Sequence, residues 1–276
     1  MSIVVMLAAC GSQTNTTTDQ TTSKNQSNQV ETETNTNKTI NNKDKSELIE
    51  LTISAAASLT DALNELKKRY EQQYPNVNLN FNYGASGALQ RQIEQGAPAD
   101  LFISASDSVL KSLEEKGFVK DGIPLLQNEL VVIVPASGGS DIKQLDDLKD
   151  DSIKKLAIGI PDSVPAGKYA QESLTNQKLW DGLQAKLVQA KDVRQVLQYV
   201  ATGNADAGFV YKTDALSTNE TKIAFTVDVA LHSAITYPIG LVTSTSHEEE
   251  ARQLYDYLKT EPAIKIMEKY GFRRAN

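Results

Sequence analysis

Two kinds of chemistry can be written on the five residues Gly84-Ala85-Ser86-Gly87-Ala88. One is nucleophilic. The stretch nearly matches the G-x-S-x-G turn that exposes a serine hydroxyl between a strand and a helix, with Ala in place of the last Gly. Asp206 or Asp214, and then His232, follow in the order such a hydrolase needs. The other is passive. Small residues at a helix start leave backbone N–H groups unpaired at the positive end of the dipole, with room for an anion to approach. The histidines weigh against catalysis: His247 stands among glutamates at a helix start and His232 in a polar loop, and both read as solvated surface residues. The chain is therefore read as a non-enzyme, with hydrolysis at Ser86 as the lesser alternative.

Turns of the passive kind recur. Ser58 follows Ala55-Ala56-Ala57; Pro165 suits a first helical position and leaves the N–H of Ala166 free; Val193 follows the capping Asp192; and Tyr211 ends a strand. Ser58, Ser86, Ala166, Val193 and Tyr211 form a set of neutral donors. A tetrahedral oxyanion that is fully deprotonated offers acceptors only and suits such a set. Phosphate keeps a proton near neutrality and would want a carboxylate, which none of the five supplies. Sulfate passes the same test, so only cavity size separates it from larger oxyanions. Metal chemistry finds no support, because a single cysteine, two isolated histidines and unclustered carboxylates match no ligand spacing. No phosphate-cradling GxxxxGK[ST] or GxGxxG occurs, and Asp146-Asp147 with Asp150-Asp151 read as a solvated face.

Short alternating strands and helices must position these donors. A strand over 50–54 leads to a helix with Leu59, Ala62, Leu63, Leu66 and Tyr70 on one face, stopped by Pro75. Ser58 reads as its N-cap, with Asp61 completing a capping box. A strand over 77–83 runs into the Ser86 turn, whose helix ends at Gly96 and Pro98; a strand over 100–104 and a helix over 109–116 follow. After the β-branched run 130–134 and a helix around 142–148 the pattern restarts. Strands are expected at 155–160, 187–189, 207–211 and 222–227, with helices at 168–174 and 193–201. Residues 235–243 bring the chain back through Tyr237-Pro238. Two helices close it, one capped by Ser246 with Glu249, the other over 262–270. The fold class is α/β, two lobes each with a mostly parallel sheet flanked by helices, joined near residues 129 and 236. Ligands in such sheets sit beyond the carboxyl ends of the strands, here the cleft between the lobes.

The chain has 276 residues, 40% of them hydrophobic, enough to bury a full core. Its start differs. Residues 1–10 are a short apolar run ending Leu7-Ala8-Ala9-Cys10, which resembles the lipobox of a bacterial lipoprotein, with Cys10 the lipidated residue. No Lys or Arg precedes the run and it is short for a signal peptide, so the natural start is expected upstream. Residues 11–47 are polar and low in complexity and are expected to be a disordered tether. Four acidic and four basic residues balance within 11–46, so the net charge of −7 belongs to the folded part. That sign, and the lack of a basic stripe, argue against nucleic acid. No stretch approaches the roughly 18 apolar residues of a spanning helix, and the domain itself is expected to be soluble.

Several separated motifs agree with one family. AAASLTDAL, GASGALQRQIEQGAPADLFISA, VPAGKYA, KDVRQVL and FVYKTDA strongly resemble the molybdate-binding proteins of molybdate ABC importers, as do the closing YDYLK and KYGF. The similarity covers residues 50–276. It implies a two-lobed periplasmic-binding-protein fold (type II), with lobe I at 48–129 and 237–276 and lobe II at 130–236. It also implies molybdate, and tungstate with it, held through the Ser58 and Ser86 hydroxyls, the N–H groups of Ala166 and Val193, and the Tyr211 hydroxyl. No direct metal ligand and no cofactor is involved. The partner would be an ABC permease, and the protein a lipid-anchored, extracytoplasmic monomer. One departure is GASG, where family members often carry a serine-rich turn.

Overall fold

The computed structural model describes residues 48–275; the expected lipidation site Cys10 and the tether 11–47 lie outside the described residues. β1 (Ile49–Ala56) buries Leu51, Ile53, Ala55 and Ala56, and α1 (Thr60–Gln73) packs Ala62, Leu63, Leu66 and Tyr70 beneath the sheet. β2 (Val77–Gly84) runs parallel to β1 on one side and β3 (Leu101–Ile103) on the other, with α2 (Ser86–Glu94) connecting them. α3 (Asp107–Glu115) leads to β4 (Val119–Gln127). The chain then crosses to a second sheet through Asn128 and Glu129, entering it as β5 (Leu130–Pro135), whose first five residues are all buried. There follow β6 (Leu156–Gly159), α4 (Pro165–Asn176), α5 (Trp180–Leu183), β7 (Leu187–Ala190), α6 (Val193–Ala201), β8 (Ala207–Tyr211), α7 (Lys212–Ala215) and β9 (Thr221–Thr226). β10 (Thr236–Val242) returns to the first sheet, and α8 (Glu248–Leu258), α9 (Glu261–Lys269) and β11 (Arg273–Arg274) complete the chain.

The first sheet has the order β11-β4-β10-β3-β1-β2 and the second β7-β6-β8-β5-β9. The expectation of mostly parallel sheets needs correction in the pairing. In the first sheet β10 lies antiparallel between β3 and β4; in the second β5 lies antiparallel between β8 and β9. Both are strands through which the chain enters from the other sheet. Parallel neighbours need a crossover connection, usually a helix. A strand arriving directly across the gap has none and runs the opposite way. The pairs next to the strand-to-helix turns, β1 with β2 and β3 and β6 with β7 and β8, are parallel. These carry the candidate site.

Three local expectations fail. Ser58 is not an N-cap: it lies in a single 3-10 turn, Ala57–Leu59, and α1 is preceded by Leu59 with no side-chain cap. Ser246 does not cap α8, which begins after His247 and carries Glu248, Glu249 and Glu250 in its first turn, where the dipole favours them. The helix expected around 142–148 is a 3-10 segment, Leu145–Lys149, closed by reciprocal bonds between Gln144 and Asp147. No helix among the described residues is long and apolar enough to cross a membrane.

Candidate functional site

The turns after β1, β2, β6 and β7, and the end of β8, converge on one small cavity. Ser58, Ser86, Ala166, Val193 and Tyr211 all line it, and no lining residue carries a charge. Ser86 is the first residue of α2, with Ala85 before it in extended conformation. Its Oγ accepts the Ala105 N–H at 2.9 Å. Ala166 and Val193 stand at the second and first positions of α4 and α6, so their N–H groups have no acceptor within the helix. Asp192 holds the start of α6 by accepting the Gln195 N–H at 2.8 Å. Gly167 lets α4 press on the end of β6: a Cβ there would stand 2.0 Å from the Gly159 carbonyl oxygen.

Tyr211 is 1% exposed, and its hydroxyl has no hydrogen-bond partner among the described residues. Its ring meets that of Tyr237 edge-on at 5.7 Å. Burial first, and then the neighbouring Tyr237, push the Tyr211 hydroxyl well above the usual tyrosine pKa; burial and then Asp214 do the same to Tyr237. Both stay protonated and can donate.

Contacts between the two sheets' sides surround the cavity. The Gly87 N–H donates to the Ser163 carbonyl at 3.0 Å, and a Cβ on Gly87 would lie 2.8 Å from that oxygen. Arg194 of α6 pairs with Asp61 of α1 at 2.6 Å. Its Nε lies 2.7 Å from Oδ1 of the fully buried Asp214, an ion pair whose atoms are not aligned as a hydrogen bond. Asp61, expected to close a capping box, serves this bridge. Asp214 also accepts the Tyr211 N–H at 3.3 Å. Burial raises the Asp214 carboxyl to about 6 against the pull of Arg194.

The hydrolase constellation is not assembled. The Ser86 hydroxyl bonds a backbone amide, while His232 is half-buried on the Tyr169 ring at 5.8 Å, its Nδ1 2.8 Å from the Ser233 carbonyl. The loop histidine is therefore less solvated than its polar surroundings suggest. Asp206 spends its carboxylate on the N–H groups of Lys154 and Lys155. Among the described residues, no three His, Cys, Asp or Glu are grouped to hold a metal. A larger groove of about 750 Å³, lined by Asp61, Glu65, Lys68 and Lys269 among others, mixes both signs of charge.

Two residues near the site carried no mark in the sequence. Tyr237, beside Pro238 in the returning strand, places its hydroxyl 2.8 Å from Ser58 Oγ. Asn128, on the crossing, donates from Nδ2 to Tyr237 Oη at 3.2 Å and to Thr213 Oγ1 at 3.0 Å.

Relatives share this architecture. "Putative ABC transporter substrate-binding lipoprotein YvgL" of Bacillus subtilis is 48% identical over 231 residues, covering 83% of this chain and 88% of the relative. "Molybdate-binding protein ModA" of Haemophilus influenzae is 38% identical over 229 residues, covering 80% and 89%. The solved periplasmic molybdate-binding protein of Azotobacter vinelandii matches with a TM-score of 0.75 at 25% identity, over 82% of this chain and all of that one. The family model for bacterial extracellular solute-binding proteins matches residues 51–273, and the chain belongs to that family.

Proposed function

We propose that this solute-binding protein captures molybdate, and tungstate alongside it, and delivers the anion to the permease of an ABC importer. One observation carries the reading: five donor positions from two sheets meet around one small cavity that no charged side chain enters. In this reading Ser58, Ser86 and Tyr211 donate hydroxyl protons and Ala166 and Val193 donate amide protons, so a fully deprotonated tetrahedral oxyanion is satisfied without a counter-charge. Each hydrogen bond to a charged group contributes about 1.5–3 kcal/mol. Roughly five to seven of them suffice for micromolar to nanomolar affinity after association costs. Lobe I would comprise 48–129 and 237–276 and lobe II 130–236, with the anion bridging them. The protein would act as a monomer, held outside the cytoplasm at the membrane by a lipid on Cys10 and the tether 11–47. Names of relatives support the transport role and the ligand. Titration calorimetry against molybdate, tungstate, sulfate and phosphate tests the reading. Molybdate and tungstate should bind most tightly; a chain that takes up neither refutes it, and a preference for sulfate moves the ligand to a smaller oxyanion.

A further inference from the structure

Neither Tyr237 nor Asn128 lines the cavity, yet both are buried behind Ser58. Hydrogen-bond directions in this group follow by elimination. The backbone N–H of Glu129 can only donate, so the Asn128 atom it meets at 2.9 Å is the carbonyl oxygen. The Asn128 amide nitrogen therefore faces Tyr237 and Thr213, and it can only donate as well. Tyr237 Oη accepts that bond. Its own proton then has one well-aligned acceptor among the described residues, Ser58 Oγ at 2.8 Å; Tyr211 Oη, the other hydroxyl nearby, is not placed for an aligned hydrogen bond. Ser58 accepts from Tyr237, and its remaining proton is free to point into the cavity that the residue lines.

We infer that Asn128 and Tyr237 are positioning residues that orient the Ser58 proton toward the ligand, so that the site discriminates against any oxyanion carrying a proton of its own. A ligand O–H would need Ser58 to turn and accept. Turning the Ser58 proton back onto Tyr237 strands the Tyr237 proton against an amide NH2, and turning it elsewhere leaves it without an acceptor among the described residues; either way an unpaired polar group in a buried cluster is costly. At the second serine the Ala105 N–H takes one lone pair of Ser86 Oγ, and the Ser86 proton, with no acceptor among the described residues, can turn to the cavity. Selection between anions of equal size and charge then depends on proton inventory, which the Asn128–Tyr237–Ser58 relay enforces from outside the cavity. This deepens the oxyanion-binding reading and rests on it.

The test compares sulfate with hydrogen phosphate, which are similar in size and both dianions at mildly alkaline pH but differ in one proton; molybdate and hydrogen arsenate form a second, larger pair. Calorimetry on the wild-type chain decides the functional reading: no oxyanion binding at all sinks that reading, and the inference with it. With binding established, Tyr237→Phe keeps the ring and frees Ser58 to turn. The preference for the proton-free member of each pair should fall about tenfold or more, the factor set by one buried mispaired group. Where the wild type takes up no measurable hydrogen phosphate, its appearance in the variant supports the relay and its continued absence overturns it. Asn128→Asp replaces the donor with an acceptor and pulls the relay the other way. It should weaken molybdate and sulfate about tenfold relative to hydrogen phosphate and hydrogen arsenate, the common charge cancelling in the ratio. If either variant, folded by its melting curve, lowers all four anions by one common factor, the two residues only pack the site and the inference is wrong.

Discussion

Arg194→Met should destabilise the protein in a way that depends on pH, and the structure sets the size of the effect. Arg194 joins Asp61 on one side to Asp214 on the other, and the Asp214 side chain is 0% exposed. Removing one partner of a buried ion pair commonly costs about 3–5 kcal/mol, because the other charge is left bare. Here the bare charge can be avoided by protonation. Asp214 already holds its proton up to about pH 6, above the ordinary carboxyl value of 3.8. A carboxyl whose folded pKa is raised contributes most to stability at low pH, and that contribution is lost as pH rises through the folded value. Without the arginine the folded pKa rises further, and the variant keeps Asp214 neutral where the wild type ionises it. At about pH 8 that costs about 1.4 kcal/mol for each unit above 6, which caps this contribution at roughly 3 kcal/mol, in addition to the lost Asp61 pair. Protonation is the cheaper escape and decides the magnitude. Near pH 5 both proteins carry a neutral Asp214, and only the half-exposed Asp61 pair is lost, about 1 kcal/mol or less. Urea denaturation of both proteins at the two pH values measures this. Equal deficits at pH 5 and pH 8 would refute the argument that Asp214 ionisation is what Arg194 supports.

Tyr211→Phe and Ser58→Ala should each weaken molybdate binding by about ten- to hundredfold, since each leaves a desolvated oxyanion lone pair unpaired; calorimetry with unchanged affinity in both would place the binding site elsewhere. Gly87→Ala sets a Cβ against the Ser163 backbone, 2.8 Å from its oxygen, and should push the two sides of the cavity apart. Affinity should drop about tenfold, the value of one misplaced bond to a charged ligand; tight binding by this variant would show that the Gly87–Ser163 contact is not needed. Cys10→Ala in the full-length chain should move the protein from the membrane to the soluble fraction with no change in ligand affinity, and wild-type membrane recovery would end the lipid-anchor proposal.

The candidate site was more legible than the fold that carries it. Its five positions lie where the chain turns from strand to helix or ends a strand, and small residues, Pro165 and Asp192 mark those turns in one dimension. Helix faces were legible for the same local reason: the spacing of Ala62, Leu63, Leu66 and Tyr70 is the buried face of α1. What depends on distant partners was not. The insertion of β5 and β10 as antiparallel strands follows from which sheet the chain crosses to, and no local pattern records that. β4 hides its strand character behind Asp121, Gly122 and Pro124, with Asp121 in a left-handed conformation at φ 57°. Ser58 and Asp61 fit a capping box by spacing, yet Tyr237 and Arg194, more than a hundred residues away in sequence, take both side chains. Tyr237 and Asn128 acquire their roles only where the two crossings meet, joined by the Asn128 N–H to the Ile235 carbonyl at 3.2 Å.

The walls of the cavity between its donors are Ala56, Ala57, Gly84, Ala85, Ala105, Val164 and Pro165. Alanine, glycine and proline, six of these seven, have no side-chain rotamers to lose or to exchange, and the seventh, Val164, is β-branched and stiff at χ1. The enclosure is thus a fixed gauge: its dimensions are written by backbone positions and by methyl groups that cannot swing aside for a wrong guest. Such a gauge tolerates little, and the unit in which it can be reset is a single methyl. Removing one at Ala105 alters the bore without touching a donor side chain. The same frame could be recalibrated from one tetrahedral anion to another by one substitution, where a site built from long flexible side chains would have to be repacked.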